Sequence, residues 1–385
     1  MSAGSGPCGR PRGFSLRELG LTLFLLAVVI AAALWFIDLR TKLLVVEKDE
    51  SRLGSALEAA ARSLSRDVRE AGRGGVPPGE AVRVVADNTA GEGASYLDAS
   101  GVPVAVRAGT DQLGLRGVLR TPLLAVRLSR GADASGRIPS DASSVWLVAS
   151  PLVGSDGSGN EDGPRAVVER LETANRRAKR FFLVSDREGR SAVARVAEWR
   201  RSDEGRSAVE FRLDFADAEA ARLNPRGEAD AARTLGEPAT GGLLDDVVWF
   251  VARGPAGRFP DYNATSDPPS MKFPHPFLAA AEFAGNGRWE IARIGEDVEE
   301  FQVAWEPAAG TLRVAWIAKA ERRFARGDGP QPPLEWTPLL NAPAPGSVPE
   351  AGPVGWDPDE SRRIPFERAS KEFVLTPRGA LQRVK

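Results

Sequence analysis

The apolar residues of this chain are concentrated in one long run near its start. Of the 19 residues from 19 to 37, only Gly20 and Thr22 interrupt the apolar character. A helix of this length can cross the ~30 Å hydrocarbon core of a bilayer. We therefore predict a transmembrane helix over residues 14–37. Glu18 lies at its head, where a carboxylate is costly and is expected to have a partner.

The pattern after this run is that of an amphipathic helix over residues 38–71. Apolar residues recur there at intervals of three and four, at Leu53, Leu57, Ala60, Leu64, Val68 and Ala71. This spacing places them on one helical face. Charged residues are expected largely off that face, at Arg62, Arg66, Asp67, Arg69 and Glu70. Glycines and prolines at 72–78 end the helix, and we predict that its apolar face packs on the following domain.

Residues 72–385 show the patterns of β-strands, and we predict a β-rich globular head. Stretches of alternating or mostly apolar residues are bounded by Gly, Pro, Asp and Ser, which is typical of strands between turns. The clearest hairpin joins 298–305 to 311–318. A second ribbon pairs 181–185 with 192–199.

The remaining elements complete an α+β design, in which the long N-terminal helix packs on a large antiparallel β-sheet head. The length of the head points to two subsheets or large insertions. Further strands are predicted at 81–86, 123–128, 144–149, 208–215, 246–252, 289–294 and 371–376, and short helices at 166–179 and 216–223. Loops are predicted near 155–163, 254–276 and 342–365.

Composition and charge argue against several kinds of site. The formal net charge is −1, so the chain lacks an overall basic field, and we do not expect nucleic acid as a partner. Cys8 is the only cysteine and His275 the only histidine, which leaves no internal disulfide, cysteine metal site or catalytic triad. The adjacent carboxylates Asp245 and Asp246 would point to opposite faces of a strand. We expect no enzymatic activity, no cofactor and no metal.

Three weaker patterns favour ordinary surface roles. Oxygen-bearing side chains alternate at positions 156, 158, 160 and 162, but the calcium-loop template requires Gly and Glu where Glu161 and Val167 stand. The basic run that ends at Lys179 and Arg180 is interpreted as a solvated face, although it could contact DNA or lipid headgroups. Asn263 begins a glycosylation acceptor pattern of a kind that is common by chance.

The residues just before and within the start of the apolar run carry a resemblance. Positions 13–18 read GFSLRE and lead directly into the membrane segment. This stretch resembles the type IV prepilin motif, whose glycine, phenylalanine, glutamate and apolar helix occur in the same order. The resemblance implies a leader over residues 1–13, cleavage by a prepilin peptidase between Gly13 and Phe14, and N-methylation of Phe14. The chain departs from many major pilins in having no proline inside the apolar helix.

Cleavage would leave a charged amine on Phe14, which gives Glu18 a role in subunit assembly. The amine of one subunit can pair with Glu18 of another, or with its own, and this offsets part of the cost of either charge in an apolar surrounding. Arg10, Arg12 and Arg17 favour a cytoplasmic N-terminus. The expected location is the bacterial inner membrane, with one membrane pass and a periplasmic head, and then the pilus or cell surface.

The head is similar in several segments to PilW-type minor pilins. The segments are 64–72 at the end of the first helix, 109–117, 182–186 and 294–303. Members of that family often carry cysteine near the third segment, where Arg187 and Glu188 stand here, so no disulfide role is carried over. The resemblance implies a low-abundance subunit that helps to initiate pilus assembly. Its expected partners are the prepilin peptidase, other minor pilins, the major pilin and the inner-membrane assembly platform.

Two alternatives share the same leader and helix. One is a pseudopilin of a type II secretion system. The other is a filament-tip module whose large head acts as an adhesin or DNA receptor. The length of the head and its resembling segments favour the minor pilin.

Overall fold

The computed structural model describes residues 16–85, 95–106, 110–130, 138, 143–152, 162–173, 179–201, 208–224, 235–253, 277–296, 298–306, 309–319 and 368–377. The chain divides into two compact units, Met1–Arg52 and Leu53–Lys385. The helices of the described residues are α1 (Leu16–Glu70), α2 (Pro78–Ala81), α3 (Gly163–Thr173) and α4 (Ala218–Leu223).

The strands make the second unit a β-rich body. They are β1 (Val82–Val85), β2 (Ser95–Asp98), β3 (Pro103–Val106), β4 (Gln112–Gly117), β5 (Leu124–Arg130), β6 (Ser144–Pro151), β7 (Phe181–Asp186), β8 (Ser191–Arg201), β9 (Val209–Asp214), β10 (Pro238–Leu243), β11 (Asp245–Arg253), β12 (Phe277–Gly285), β13 (Arg288–Glu296), β14 (Val298–Glu306), β15 (Thr311–Lys319) and β16 (Arg368–Leu375).

Seven strands form the sheet on which the second half of α1 packs. Their order is β1-β4-β11-β12-β13-β2-β3, and β3 also pairs with the end of β11, so the five strands from β11 to β3 close into a ring. Alternate residues of β11 enter different cores because successive side chains of a strand point to opposite faces. Trp249 joins the core that includes α1, whereas Phe250 joins the core within the ring.

A second group of six strands forms a closed barrel in the order β10-β5-β6-β9-β8-β7. Its core is built from inward-facing residues, among them Leu147, Phe182, Phe211 and Leu213. The predicted ribbon is confirmed, because β7 pairs antiparallel with β8. A third sheet, β14-β15-β16, contains the predicted hairpin of β14 and β15 and adds Phe301 and Trp316 to the core that includes α1.

The head is therefore β-rich, as predicted, but its strands do not form one large sheet. The barrel closes because β10 pairs with both β5 and β7. Two glycines permit this close approach: a Cβ atom at Gly241 would lie 2.5 Å from the Phe182 ring, and one at Gly242 would lie 2.8 Å from Val118. The predicted loops at 254–276 and 342–365 lie outside the described residues, as does most of 155–163.

Candidate functional site

The first part of α1 presents an exposed apolar surface. Leu19–Thr41 is long and apolar enough to cross a membrane, and none of its apolar window is buried in the structure. Phe24 and Trp35 are 65% and 68% exposed. The Thr22 hydroxyl donates to the Leu19 carbonyl oxygen at 2.9 Å, so the helix itself satisfies this polar group. A large exposed apolar surface of this kind indicates contact with lipid or with another protein.

The residues predicted for processing and assembly lie at the start of this segment. Gly13 and Phe14 precede Leu16, the first described residue, and so lie outside the described part of the chain. Glu18 is in the first described turn of α1, but its side chain is also outside the description. Cleavage, methylation and charge pairing therefore stay predictions from the sequence.

The second half of α1 packs on the head through the apolar face that the sequence predicted. Its buried residues share one core with β4, β11 and β12 of the sheet and with β14 and β15 of the third sheet. They are Leu57, Ala60, Ala61, Leu64, Val68 and Ala71. The side chain of Leu53, the first residue of the predicted face, lies outside the description.

The prediction for Asp67 was wrong. We expected it largely off the buried face, but its side chain is fully buried. The helical repeat explains the difference, because Asp67 follows Leu64 by three positions and precedes Ala71 by four, and such residues share a face. Its carboxylate lies 3.7 Å from the Arg120 guanidinium and 3.5 Å from that of Arg66. Burial raises the pKa of Asp67, against the opposing charges of these arginines.

The turn that ends α1 is fixed to both groups of strands by hydrogen bonds. The Gly72 amide donates to the Arg116 carbonyl oxygen at 3.0 Å, and the Val118 amide donates to that of Arg73 at 3.0 Å. The Ser185 hydroxyl, on the barrel strand β7, donates to the Gly74 carbonyl oxygen. Gly74 has a φ of +92°, a conformation that side chains other than glycine rarely adopt.

Three of the segments that resemble PilW-type minor pilins take part in hydrogen bonds between separate segments of the head. The Asp111 amide donates to the Phe301 carbonyl oxygen at 2.9 Å, and the Asp111 carboxylate accepts from the Val303 amide at 2.8 Å. Two of the resembling segments therefore contact each other directly. In a third, the Asp186 carboxylate accepts from the amides of Arg190 and Gly236, at 2.9 and 2.8 Å.

The described head contains a buried ion cluster. It consists of Asp67, Arg120, Arg170, Arg180, Asp245 and Glu282, which come from α1, the β4–β5 connection, α3, the residue before β7, β11 and β12. Glu282 alone contacts three guanidinium groups at 2.6 to 2.9 Å. Asp245 lies two residues before Val247, the cross-strand partner of Glu282, and is 1% exposed.

The pKa values of the two central carboxylates of this cluster are shifted in opposite directions. Burial raises the pKa of Asp245 to about 6, even though Arg170 opposes it. Burial would also raise the pKa of Glu282, but Arg170, Arg120 and Arg180 together hold it below its usual range. Asp246 points to the other face of β11, as predicted, where it pairs with Arg83 and Arg116 at 2.7 Å.

The remaining patterns considered in the sequence give no site in the described structure. The interpretation of the basic run as a solvated face is wrong for Arg180, whose side chain is 11% exposed and pairs with Glu282 and Glu290 at 2.9 and 3.0 Å. Lys179 pairs with Asp217 and Glu219. Residues 174–178 lie outside the description. Cys8, Asn263 and His275, as well as most of the calcium-like loop, also lie outside it. No group of three or more potential metal ligands occurs among the described residues.

Only part of this arrangement could be predicted from local sequence patterns. Asp67 could have been placed on the buried face from its spacing to Leu64. The other members of the ion cluster are far apart in sequence, and no local pattern connects them. Comparisons with protein-family models, characterised proteins and solved structures find no match to this chain.

Proposed function

We propose that this protein is a minor pilin of the PilW type, which is processed by prepilin peptidase and helps to initiate a type IV pilus. The observation that carries the proposal is the position of the prepilin-like motif. It ends at Glu18, directly before a helix segment that is apolar and exposed over Leu19–Thr41. A segment of this kind can be held in the inner membrane and then transferred into the apolar core of a filament, since both surroundings bury it.

The fold of the second unit is consistent with this proposal. A pilin-like subunit needs a helix that anchors its head, and the second half of α1 meets this need with a buried apolar face and a fixed terminal turn. The head departs from a simple pilin sheet because it adds a closed six-stranded barrel. A large head of this kind suits a subunit present in few copies better than the repeating unit of a filament.

Glu18 and the new amine of Phe14 would direct the assembly step. Each charge is costly in an apolar surrounding, and a pair costs less than two separate charges. The incoming subunit is therefore stabilised where its charge meets a complementary one. Removal of one partner leaves the other charge unpaired, and this costs more free energy than removal of both.

The proposal is tested by the N-terminus of the mature protein. The protein extracted from membranes of its natural host should begin at Phe14 and carry one N-methyl group, as read by mass spectrometry of the N-terminal peptide. Gly13→Asp should block cleavage, whereas Gly9→Asp, the same change within the leader, should leave it intact. An unprocessed wild-type N-terminus contradicts the proposal.

Genetic deletion separates initiation from the alternatives. Loss of surface pili after deletion supports a role in initiation, and normal piliation with lost adhesion supports a tip-binding module instead. Loss of protein secretion with normal piliation supports a pseudopilin. Complementation with the wild-type gene controls for effects on neighbouring genes.

A further inference from the structure

The chain crosses between the seven-stranded sheet and the barrel at points close to the ion cluster. β4 of the sheet continues into β5 of the barrel through residues 118–123, and only Leu244 separates β10 of the barrel from β11 of the sheet. Two backbone hydrogen bonds reinforce the junction: the Lys179 amide donates to the Ala284 carbonyl oxygen at 2.7 Å, and the Leu244 amide to that of Phe181 at 2.9 Å.

Asp245 fixes the first of these crossings. One oxygen of its carboxylate accepts from the amides of Leu119 and Arg120, at 2.8 and 2.9 Å. The other oxygen lies 2.7 Å from Arg170 Nη2. A single buried carboxylate of the sheet thus holds both the connection that leads into the barrel and the helix α3, which lies between the barrel strands β6 and β7.

Glu282 makes the same kind of link from the next strand of the sheet. Its Oε1 accepts from Arg170 at 2.6 Å and from Arg180 at 2.9 Å, and both arginines belong to the barrel side of the junction. Its Oε2 accepts from Arg120 at 2.7 Å, and Arg120 in turn lies 3.7 Å from Asp67 of α1. At the rim of the cluster, Arg180 also donates to Glu290 at 3.0 Å.

We propose that the buried ion cluster couples the barrel, the sheet and the docked end of α1 energetically, so that the three unfold as one cooperative unit. The inference does not depend on the proposed function. Apolar contacts also occur at the junction, but they are non-directional. The charged contacts are directional, and each cluster member bridges to a group on another element. The cluster therefore fixes the orientation of the barrel on the sheet.

Because its charges are buried, the ion cluster is sensitive to the loss of any one charged side chain. A buried ion pair contributes little over apolar packing, but removal of one partner leaves an uncompensated charge. Glu282→Gln would leave Arg120, Arg170 and Arg180 with one carboxylate fewer inside the protein. We expect this change to separate the opening of the barrel from that of the sheet, rather than to weaken both equally.

The test is hydrogen exchange under increasing denaturant on the full-length protein in detergent micelles, read by mass spectrometry on peptides from β6 and β9 and from β11 and β12. In the wild type, the slowest amides of both groups should exchange through one common opening. In Glu282→Gln they should open separately, with barrel and sheet differing by up to about 150- to 5,000-fold in exchange rate, the range expected when one partner of a buried pair is removed.

The matched control is Glu237→Gln, which removes the carboxylate from an exposed pair with Arg187 at 3.5 Å in the barrel. This variant should keep the common opening. If Glu282→Gln also keeps one common opening, the proposal is overturned. Should Glu282→Gln fail to fold, Arg170→Lys decides by the same measurement, because lysine retains the charge but lacks the Nη2 atom that contacts both carboxylates.

Discussion

The docking of α1 on the head predicts that the same substitution has different consequences at two leucines of this helix. Leu64 is fully buried in the core that α1 forms with the sheet, whereas Leu25 is 53% exposed. Truncation of a buried leucine to alanine costs about 2–5 kcal/mol, through lost apolar burial and the cavity left behind. At roughly 2–4 °C per kcal/mol for a large domain, Leu64→Ala should lower the Tm of the head by about 4–20 °C.

Tryptophan fluorescence provides the assay, because Trp249 and Trp316 are fully buried in the same core as Leu64. Thermal unfolding of full-length protein in detergent micelles should show the lower Tm in Leu64→Ala. Leu25→Ala is the control and should leave the head transition unchanged. Equal shifts for the two variants, or no shift for Leu64→Ala, would refute the inferred docking of α1 through this face.

Three further predictions concern pH, the helix terminus and assembly. The raised pKa of Asp245 means that the folded state binds the proton more tightly, so its contribution to unfolding free energy falls as pH rises from about 4 to 6. Urea midpoints should show that Asp245→Asn removes this decline, and a curve parallel to the wild type contradicts it. Gly74→Ala should cost about 1–3 kcal/mol by chemical denaturation, since its Cβ would lie 2.7 Å from Leu183; Gly189→Ala, with positive φ but open space, should cost less. Glu18→Ala should insert normally into membranes but fail to co-purify with partner pilins, and normal co-purification argues against its role in assembly.

The direction of the pH effect depends on which carboxylate of the ion cluster is considered. The lowered pKa of Glu282 stabilises the folded state at pH values above the pKa that Glu282 has in the unfolded state. This stabilisation is lost as the pH falls through its pKa in the folded state. Asp245 and Asp67 act in the opposite sense, because their pKa values are raised. Arg120, Arg170 and Arg180 face these groups and Glu290 lies at the rim, and the variant Asp245→Asn removes one titrating carboxylate from among them.

Local sequence patterns predicted the elements whose own residues show a clear helical or strand periodicity. The apolar face of α1, the ribbon of β7 and β8 and the hairpin of β14 and β15 are all present. The strand β12 was missed because its alanine-rich sequence has weak strand preference. A signal did exist: Asn286 and Gly287 join β12 to β13 with φ values of 56° and 66°, and an Asn-Gly pair strongly indicates a two-residue hairpin turn.

The barrel and the ion cluster depend on contacts that no local pattern contains. β10, which closes the barrel, has the sequence PATGGL, and its glycines suggest a loop more than a strand. They are present because neighbouring side chains leave no room for a Cβ atom at Gly241 or Gly242. Likewise, Glu282 meets Arg120 and Arg170 across separations of 162 and 112 residues.

Residues of the segments that resemble PilW-type minor pilins make hydrogen bonds that support the head. Asp111 joins two of them, the Arg116 carbonyl receives the end of α1, and Asp186 fixes the turn after β7. These are buried or half-buried supports of the head, so their chemistry follows from the need to hold distant segments together. These contacts account for the segments through the stability of the head, and they identify no ligand. The proposed function therefore rests on the exposed apolar helix and the motif before it.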